Sequence, residues 1–439
     1  MKTHTLRATA IAAALLAAAM SATAADETAT ESQSAPAAAA PALNVAEAAA
    51  KKALDDLGIQ LWGYMRSGAY GSAKGEPKGQ YQLSYGSGSD IDHYRFGNEG
   101  DNYLEFGIGK KWDMGGGLKW GTYWMPTYYN GATNTAQVYT DMTGLDFLPG
   151  ATIWAGQRYH RIQDVHILDN WVMEDGDNYG AGIDNIGVGF GKLNFSASTE
   201  GNSGNLNSNV NNAKRVNFQW HDMPTNPGGT LTLTGAYIRG QFADKNNGYA
   251  LGALHNQKDF LVKGLINSLF LQTSTGHAAV KGEFFNLDSA GAAPLAGAKQ
   301  SRIIESMNWQ FGKLGGQAVI GYHVVKPDAV GGLAAPRTKN FSAGGEVTYG
   351  VAKNTKLIGE LGYNNLKTDG LGTQNLDKEV IAVAFAPNTD FWTRPEFRVY
   401  LQRAGWNGAA QLANSAAGQF GATGKTSAIT FGAQVEAWW

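Results

Sequence analysis

The sequence predicts an all-β fold, an antiparallel transmembrane β-barrel preceded by a short helical extension. Three observations predict it. Segments with a two-residue period recur from Ile59 to the end of the chain. Beyond the N-terminal leader, no continuous apolar run reaches the about 20 residues that a spanning helix needs. The mean hydropathy is mildly negative, −0.28, although Trp, Tyr and Phe number 12, 18 and 18. A barrel averages to such a value because its lipid-facing and lumen-facing residues alternate and cancel.

The elements follow in order. Lys2 and Arg7 precede an Ala/Leu run from Ala8 to Met20, and small residues follow at Ala22, Thr23, Ala24 and Ala25. A basic start, a short apolar stretch and a small-residue cleavage site read as a secretory signal peptide over residues 1–25. Residues 26–58 form a second region on the periplasmic side. Its first part, 26–43, is rich in Ala, Pro, Ser, Thr and Glu and reads as a flexible linker. Residues 44–58 read as a helix, with Asn44 as cap, Glu47 completing a capping box and Gly58 at the end. Residues 59–439 are the barrel.

Within 59–439 the two parities differ in kind. Ile59, Leu61 and Met65 alternate with Gln60, Trp62, Tyr64 and Arg66. Leu104, Phe106 and Ile108 alternate with Tyr103, Glu105 and Gly107, and Phe397, Val399 and Leu401 with Glu396, Arg398, Tyr400 and Gln402. The last nine residues repeat the pattern: Phe431, Ala433, Val435, Ala437 and Trp439 share one face, and Gly432, Gln434, Glu436 and Trp438 the other. A terminal aromatic suits the bilayer interface. Glycine-rich punctuation separates the runs, as at Asn226-Pro-Gly-Gly229 and Asp113-Met-Gly-Gly-Gly117. At about ten residues per tilted strand plus connections, roughly sixteen to eighteen strands fit.

Other classes find little support. Cysteine is absent and the formal net charge is −2, so there is no thiolate metal site and no basic surface for nucleic acid. Asp164, His166 and Asp169 resemble a metal set only loosely, since no second histidine lies nearby. Gly187-Val-Gly-Phe-Gly191 lacks the strand–helix context of a nucleotide loop and reads as a turn before Leu193. No nucleophile, base and orienting group assemble on the wall, so no enzyme and no cofactor are expected.

The inner parity mixes rings with charges: Trp62, Tyr64 and Arg66, then Arg95, Tyr103 and Glu105, then Trp392, Arg394 and Arg398, and lastly Trp438. A wall built only for water and ions has no use for exposed rings. A permeant with flat C–H faces and a hydroxylated edge, such as a pyranose, does. Its contacts must stay weak, because permeation needs exit as well as entry. A general, non-selective porin shares the barrel and is the alternative; it would not need the aromatic row.

These residues also carry a resemblance. The chain resembles the maltoporins, trimeric sugar-specific porins of the bacterial outer membrane. The matching segments are Gly63-Tyr-Met-Arg-Ser-Gly68, Tyr94-Arg-Phe-Gly-Asn-Glu99 with Tyr103 and Glu105, Leu148-Pro-Gly-Ala-Thr-Ile-Trp-Ala-Gly-Gln-Arg158, Asp164-Val-His166 with Asp169, Asp184–Leu193, Asn226–Leu231, Trp392-Thr-Arg-Pro395 and the terminal Trp-Trp. The resemblance implies an eighteen-stranded barrel, a homotrimer in outer-membrane lipid, and passage of maltose or maltodextrin-type sugars. It assigns an aromatic slide to Tyr64, Tyr103, Trp392 and Trp438, a polar track to Arg66, Arg95, Glu105, His166 and Asp169, and a constriction to Arg161, Asp164 and Trp171. Three departures stand out. Ile162 replaces a constriction arginine, Leu265 replaces a slide phenylalanine, and a loop tryptophan donated by a neighbouring subunit has only Trp124, Tyr128 and Tyr129 as candidates. The N-terminal extension is similar to that of the longer sucrose-type porins, so sucrose or another oligosaccharide is the alternative cargo.

Overall fold

The computed structural model describes residues 45–73, 81–83, 91–174, 178–199, 211–287, 295–329, 335–414, 420 and 424–439. The expected signal peptide, the linker over 26–43 and the Asn44 cap lie outside the described residues. The helix itself, α1 (Val45–Asp56), is present. Gly58 ends it at φ 65°, a left-handed conformation that glycine adopts without a Cβ clash. Lys51 and Lys52 pair with Asp55 and Asp56 one turn on, and all four are exposed, so these pairs add little.

The barrel begins with β1 (Ile59–Ser72), β2 (Tyr103–Asp113), β3 (Lys119–Tyr129), β4 (Ala132–Thr143) and β5 (Thr152–Arg158). A small inner hairpin follows, β6 (Arg161–Val165) and β7 (Asn170–Glu174), joined through a 3-10 turn at His166–Leu168. The wall resumes with β8 (Asn178–Gly187), β9 (Lys192–Thr199), β10 (Lys214–Pro224), β11 (Gly229–Arg239), β12 (Gly248–Gln257), β13 (Leu265–Thr275) and β14 (Ala298–Phe311). It continues through β15 (Leu314–Pro327), β16 (Thr338–Ala352), β17 (Thr355–Thr368), β18 (Gln374–Phe385), β19 (Glu396–Trp406) and β20 (Ser427–Trp438), with a short helix α2 (Gly408–Asn414) before the last strand.

Eighteen strands form one sheet, and β6–β7 form a separate pair. Every wall strand pairs antiparallel with the next, and β20 returns to β1, with Tyr64 opposite Trp438 and Arg66 opposite Glu436. Closure leaves no edge strand, which the bilayer requires, because it cannot hydrogen-bond a free backbone. No helix among the described residues is long and apolar enough to cross a membrane. The outward parity is exposed and apolar, as at Phe397, Val399, Leu401, Ile429 and Phe431. The inward parity is buried and polar, as at Glu396, Arg398, Gln402, Gln434 and Glu436.

Both termini of the barrel share one end with short turns such as Gly312-Lys313 and Lys353-Asn354. In outer-membrane barrels short turns face the periplasm and long loops the outside. Val188–Gly191 is the turn expected before Leu193, closed by a Val188 N to Gly191 O bond of 3.3 Å.

Two outer connections fold into the barrel. The first, 91–102, lays Tyr94 flat on the inner wall; a Cβ at Gly344 would sit 2.4 Å from its ring and one at Gly362 2.6 Å. Lys378 on β18 donates to the carbonyls of Tyr94 and Arg95 and pins the segment. The second is the β6–β7 hairpin. Its Ile167, Leu168, Val172 and Met173 pack against Leu254, Phe270, Ile304 and Val319 of the wall in a dry cluster with Tyr94 and Phe391. The protein's apolar core therefore sits inside the barrel, against β12 to β18. The half-exposed rings Tyr64, Tyr103 and Trp438 lie on the opposite side, on β1, β2 and β20.

The helix touches the barrel end mainly through Gly58, whose carbonyl accepts from Lys111 N at 2.7 Å, and through Lys110, which donates to Leu57 O. Deleting 26–56 while keeping Leu57, Gly58 and the leader is expected to leave single-channel ion conductance within experimental error of the full chain. Failure of the truncated protein to insert would make the helix a structural part of the barrel.

Candidate functional site

The closing seam of the barrel builds the site. Glu436 on β20 is fully buried and points inward. Its Oε1 accepts from Arg95 Nη2 at 2.5 Å and from Tyr64 Oη at 2.8 Å. Its Oε2 accepts from Arg394 Nε at 2.7 Å and Arg398 Nη2 at 3.2 Å. One carboxylate thus holds three guanidiniums drawn from the first inward loop, the β18–β19 turn and β19. Charge-assisted bonds of this kind are the strong ones, and in a dry site they fix geometry.

Asp169 makes a second junction. It sits at φ 51° just after the 3-10 turn and is bonded by Arg66 Nη1 at 2.6 Å and Arg95 Nη1 at 3.0 Å. Arg66 also reaches Asp101, at 2.7 and 2.8 Å. His166 lies between Arg95 and Arg394; the Arg394 Nη2 to His166 Nε2 distance is 3.1 Å. Burial, and then the adjacent Arg95 cation, hold the imidazole well below its ordinary pKa. His166 is therefore a neutral acceptor at physiological pH. The shortest contacts of His166 and Asp169 are to arginines, with Glu436 3.8 Å from His166 and His93 3.9 Å from Asp169, so both residues are engaged by groups of the protein itself.

The aromatic residues follow the same seam. Trp392 lies 5.1 Å from the His166 ring, and Trp438 meets that ring edge-on at 5.8 Å. Arg394 stacks over Trp438 at 4.5 Å. Tyr64 is the register partner of Trp438, and Tyr103 follows at 6.1 Å from Tyr64. Arg66 lies over Tyr103 at 5.5 Å, and Tyr103 Oη donates to Glu105 at 2.6 Å. All four rings remain partly exposed to the lumen. They form a diagonal row from the β18–β19 turn at the periplasmic end, across β20 and β1, up to the outer end of β2.

The hairpin carries a further cation toward this row. Arg161 extends to Glu105, 3.2 Å away, and lies over Tyr159 at 3.8 Å and Trp171 at 5.4 Å. Asp164 is the register partner of Trp171 across the hairpin. Arg161, Glu105 and Trp171 are thus brought together, with Asp164 level with Trp171 across the hairpin and nearer the turn than Arg161.

The three departures have definite outcomes. Ile162 packs against the dry inner cluster, and the adjacent Arg161 is the residue whose guanidinium reaches the seam, at Glu105. Leu265 shares the outward parity of Leu269 and Leu271, with Trp309 opposite, so it is no slide position; the inward ring of β13 is Phe270, sealed beneath the hairpin. Trp124, Tyr128 and Tyr129 all sit on β3, not in a loop, and the β3–β4 connection is only Asn130-Gly131. Trp124 and Tyr128 face outward. Tyr129 faces inward, edge-on to Tyr103 at 6.3 Å, and extends the row toward the outside.

Sequence reasoning missed the centrality of Glu436 and the inward role of Tyr129. Parity alone placed Glu436 in the lumen; nothing local showed that three distant arginines converge on it. It also missed Glu99 and Asp101, acidic partners on the first inward loop.

A closed eighteen-stranded membrane barrel with a charged, ring-lined interior is a porin channel. Residues 59–439 match the LamB porin family model, and the chain belongs to that family; its place is the bacterial outer membrane. Among solved structures, it is similar to OccAB2 of Acinetobacter baumannii at 8% identity, covering 87% of this chain and 98% of that one with a TM-score of 0.47. It is also similar to an anion-selective porin from Comamonas acidovorans, at 13% identity, 87% and 99% coverage and a TM-score of 0.44.

Proposed function

We propose that this porin is a sugar channel that passes maltose or maltodextrin-type oligosaccharides by facilitated diffusion, and that it works as a homotrimer. The observation that carries the reading is the diagonal row of half-exposed rings, Trp392, Trp438, Tyr64 and Tyr103, flanked along its length by charged side chains. Ring faces offer dispersion contact to the C–H faces of pyranoses. Arg66, Arg95, Glu105, His166 and Asp169 form the polar edge, with Arg161, Asp164 and Trp171 setting the narrowest passage. A sugar moves by exchanging one shallow contact for the next, so no single ring has to bind tightly. Because the arginines and carboxylates are already paired with each other, the track is preorganised, and a hydroxyl exchanges into a standing network without creating a charge. Export by the leader at 1–25 and a periplasmic role for 26–58 belong to the same reading.

The test is block of single-channel current by a panel of maltodextrins, sucrose and unrelated oligosaccharides. Linear maltodextrins are expected to block at lower concentration as chain length rises to the length of the row. A panel in which no sugar interrupts the current would leave a general porin. A panel in which sucrose blocks best would move the cargo to the sucrose type while keeping the track.

A further inference from the structure

The outer face of the barrel carries a feature that transport does not use. At the end of the strands bearing the long loops, six outward-parity positions on β10 to β17 are basic: Lys214, Arg239, Lys299, Lys326, Lys339 and Lys367. They are not dispersed. Lys214 is the register partner of Arg239, Lys299 of Lys326, and Lys339 of Lys367. Like charges directly opposite on neighbouring strands repel and destabilise the sheet. None of the six makes an ion pair among the described residues. Lower on the outer face, on β18 and β19, a basic residue is paired instead: Asp377 is the register partner of Tyr363, four residues below Lys367, and Arg403 is held there by Asp377 at 2.7 Å and Glu379 at 3.4 Å.

Below the basic rim, the same outer face bears an apolar recess of about 680 Å³ lined by Phe218, Leu233, Leu251, Leu271, Ile303 and Tyr322. Phe218, Ile303 and Tyr322 lie four residues below Lys214, Lys299 and Lys326 on their own strands. That is roughly 13 Å along a strand, the relation between the phosphate and the upper acyl segment of an amphiphile. Leu251 is 64% exposed in the isolated chain, so the recess is open to whatever surrounds the barrel.

We propose that this face is a docking site for a multiply acylated glycolipid bearing phosphate groups, in the outer leaflet of the membrane. The like-charged pairs offer clustered cations that phosphate anions would neutralise, and Lys and Arg at the headgroup level gain from such anions. The recess takes the acyl chains of the same molecule. A second copy of the chain fits less well: it would bring two such basic faces together, and the outward carboxylates of β18, Asp377 and Glu379, are already held by Arg403.

The test uses the full protein in detergent, titrated with a bis-phosphorylated hexa-acyl glucosamine disaccharide, with its dephosphorylated form and with phosphatidylglycerol, and read by native mass spectrometry. The phosphorylated glycolipid is expected to be retained best. The quadruple variant K299Q/K326Q/K339Q/K367Q should weaken its retention at least tenfold. Ala253→Phe, which fills the recess from β12, should weaken it severalfold with every cation in place. Unchanged ion conductance in both variants shows that they are folded. Equal retention of the dephosphorylated form or of phosphatidylglycerol would overturn the proposal, as would wild-type retention by the quadruple variant. A change of oligomeric state in lipid-free detergent caused by these substitutions would also overturn it, and would make the face a contact between copies of the chain.

Discussion

Replacing Glu436 by alanine is expected to abolish most of the sugar block and to move ion selectivity toward anions, while the barrel still assembles. The carboxylate is fully buried and accepts from Arg95, Arg394, Arg398 and Tyr64. Removing one partner of a buried ion cluster leaves the others uncompensated, at a cost of about 3–5 kcal/mol. The wall does not depend on this cluster, because its backbone ladder is complete around the ring. The strain therefore discharges inside the lumen. Arg394 loses the bond that holds it over Trp438, and Arg95 loses one of the anchors that position the first inward loop. Glu436→Gln separates charge from shape: it should restore the ring geometry in part but keep the anion preference. Reversal potentials in a salt gradient, together with current block by maltodextrins, check both. Wild-type selectivity and block in the alanine variant would reduce Glu436 to a packing residue.

The second large effect concerns the rings. Trp392→Ala or Trp438→Ala is expected to weaken maltodextrin block by roughly fivefold to tenfold. A single aromatic contact is worth about 1 kcal/mol, and ~1.4 kcal/mol is a factor of ten. Ion conductance should hold or rise, since a bulky group leaves the lumen. The loss should be greatest for linear oligosaccharides, which engage several rings at once. Trp439→Ala is the control, because that ring shares the outward face with Phe106, 6.2 Å away. If the Trp438 and Trp439 substitutions altered sugar block equally, the rings would not form an inner track.

Much of this was written in the two-residue period. Residues such as Tyr64, Tyr103 and Trp438 could be placed on the inner face from alternation alone, because in a strand parity and side are the same property. The loops were not legible in that way. Nothing near Tyr94 announces that its ring lies on Gly344 and Gly362, 250 and more positions later. The glycines read as weak spots in strands until the ring that needs their missing Cβ is found. Nor does alternation show which inward residues meet each other. His166, Arg394 and Glu436 come from a hairpin, a turn and a strand, and only closure of the ring brings them within bonding distance. Ile162 and Leu265 illustrate the limit of matching position by position. One was compensated by its neighbour Arg161; the other lies on the opposite face of its strand.

The register between β1 and β20 has one more consequence. Tyr64 and Arg66 leave the ribosome almost first among the wall residues, and Glu436 and Trp438 last, yet they are cross-strand neighbours. A chain that stops short of its final strand, or whose ends have not met, contains no functional fragment of the channel. The closed channel and its charged, ring-lined seam therefore arrive in a single step, with the last strand. A half-assembled pore is not a leakier version of the finished one; it lacks the carboxylate of Glu436 and the ring of Trp438, and its unpaired arginines mark it as incomplete.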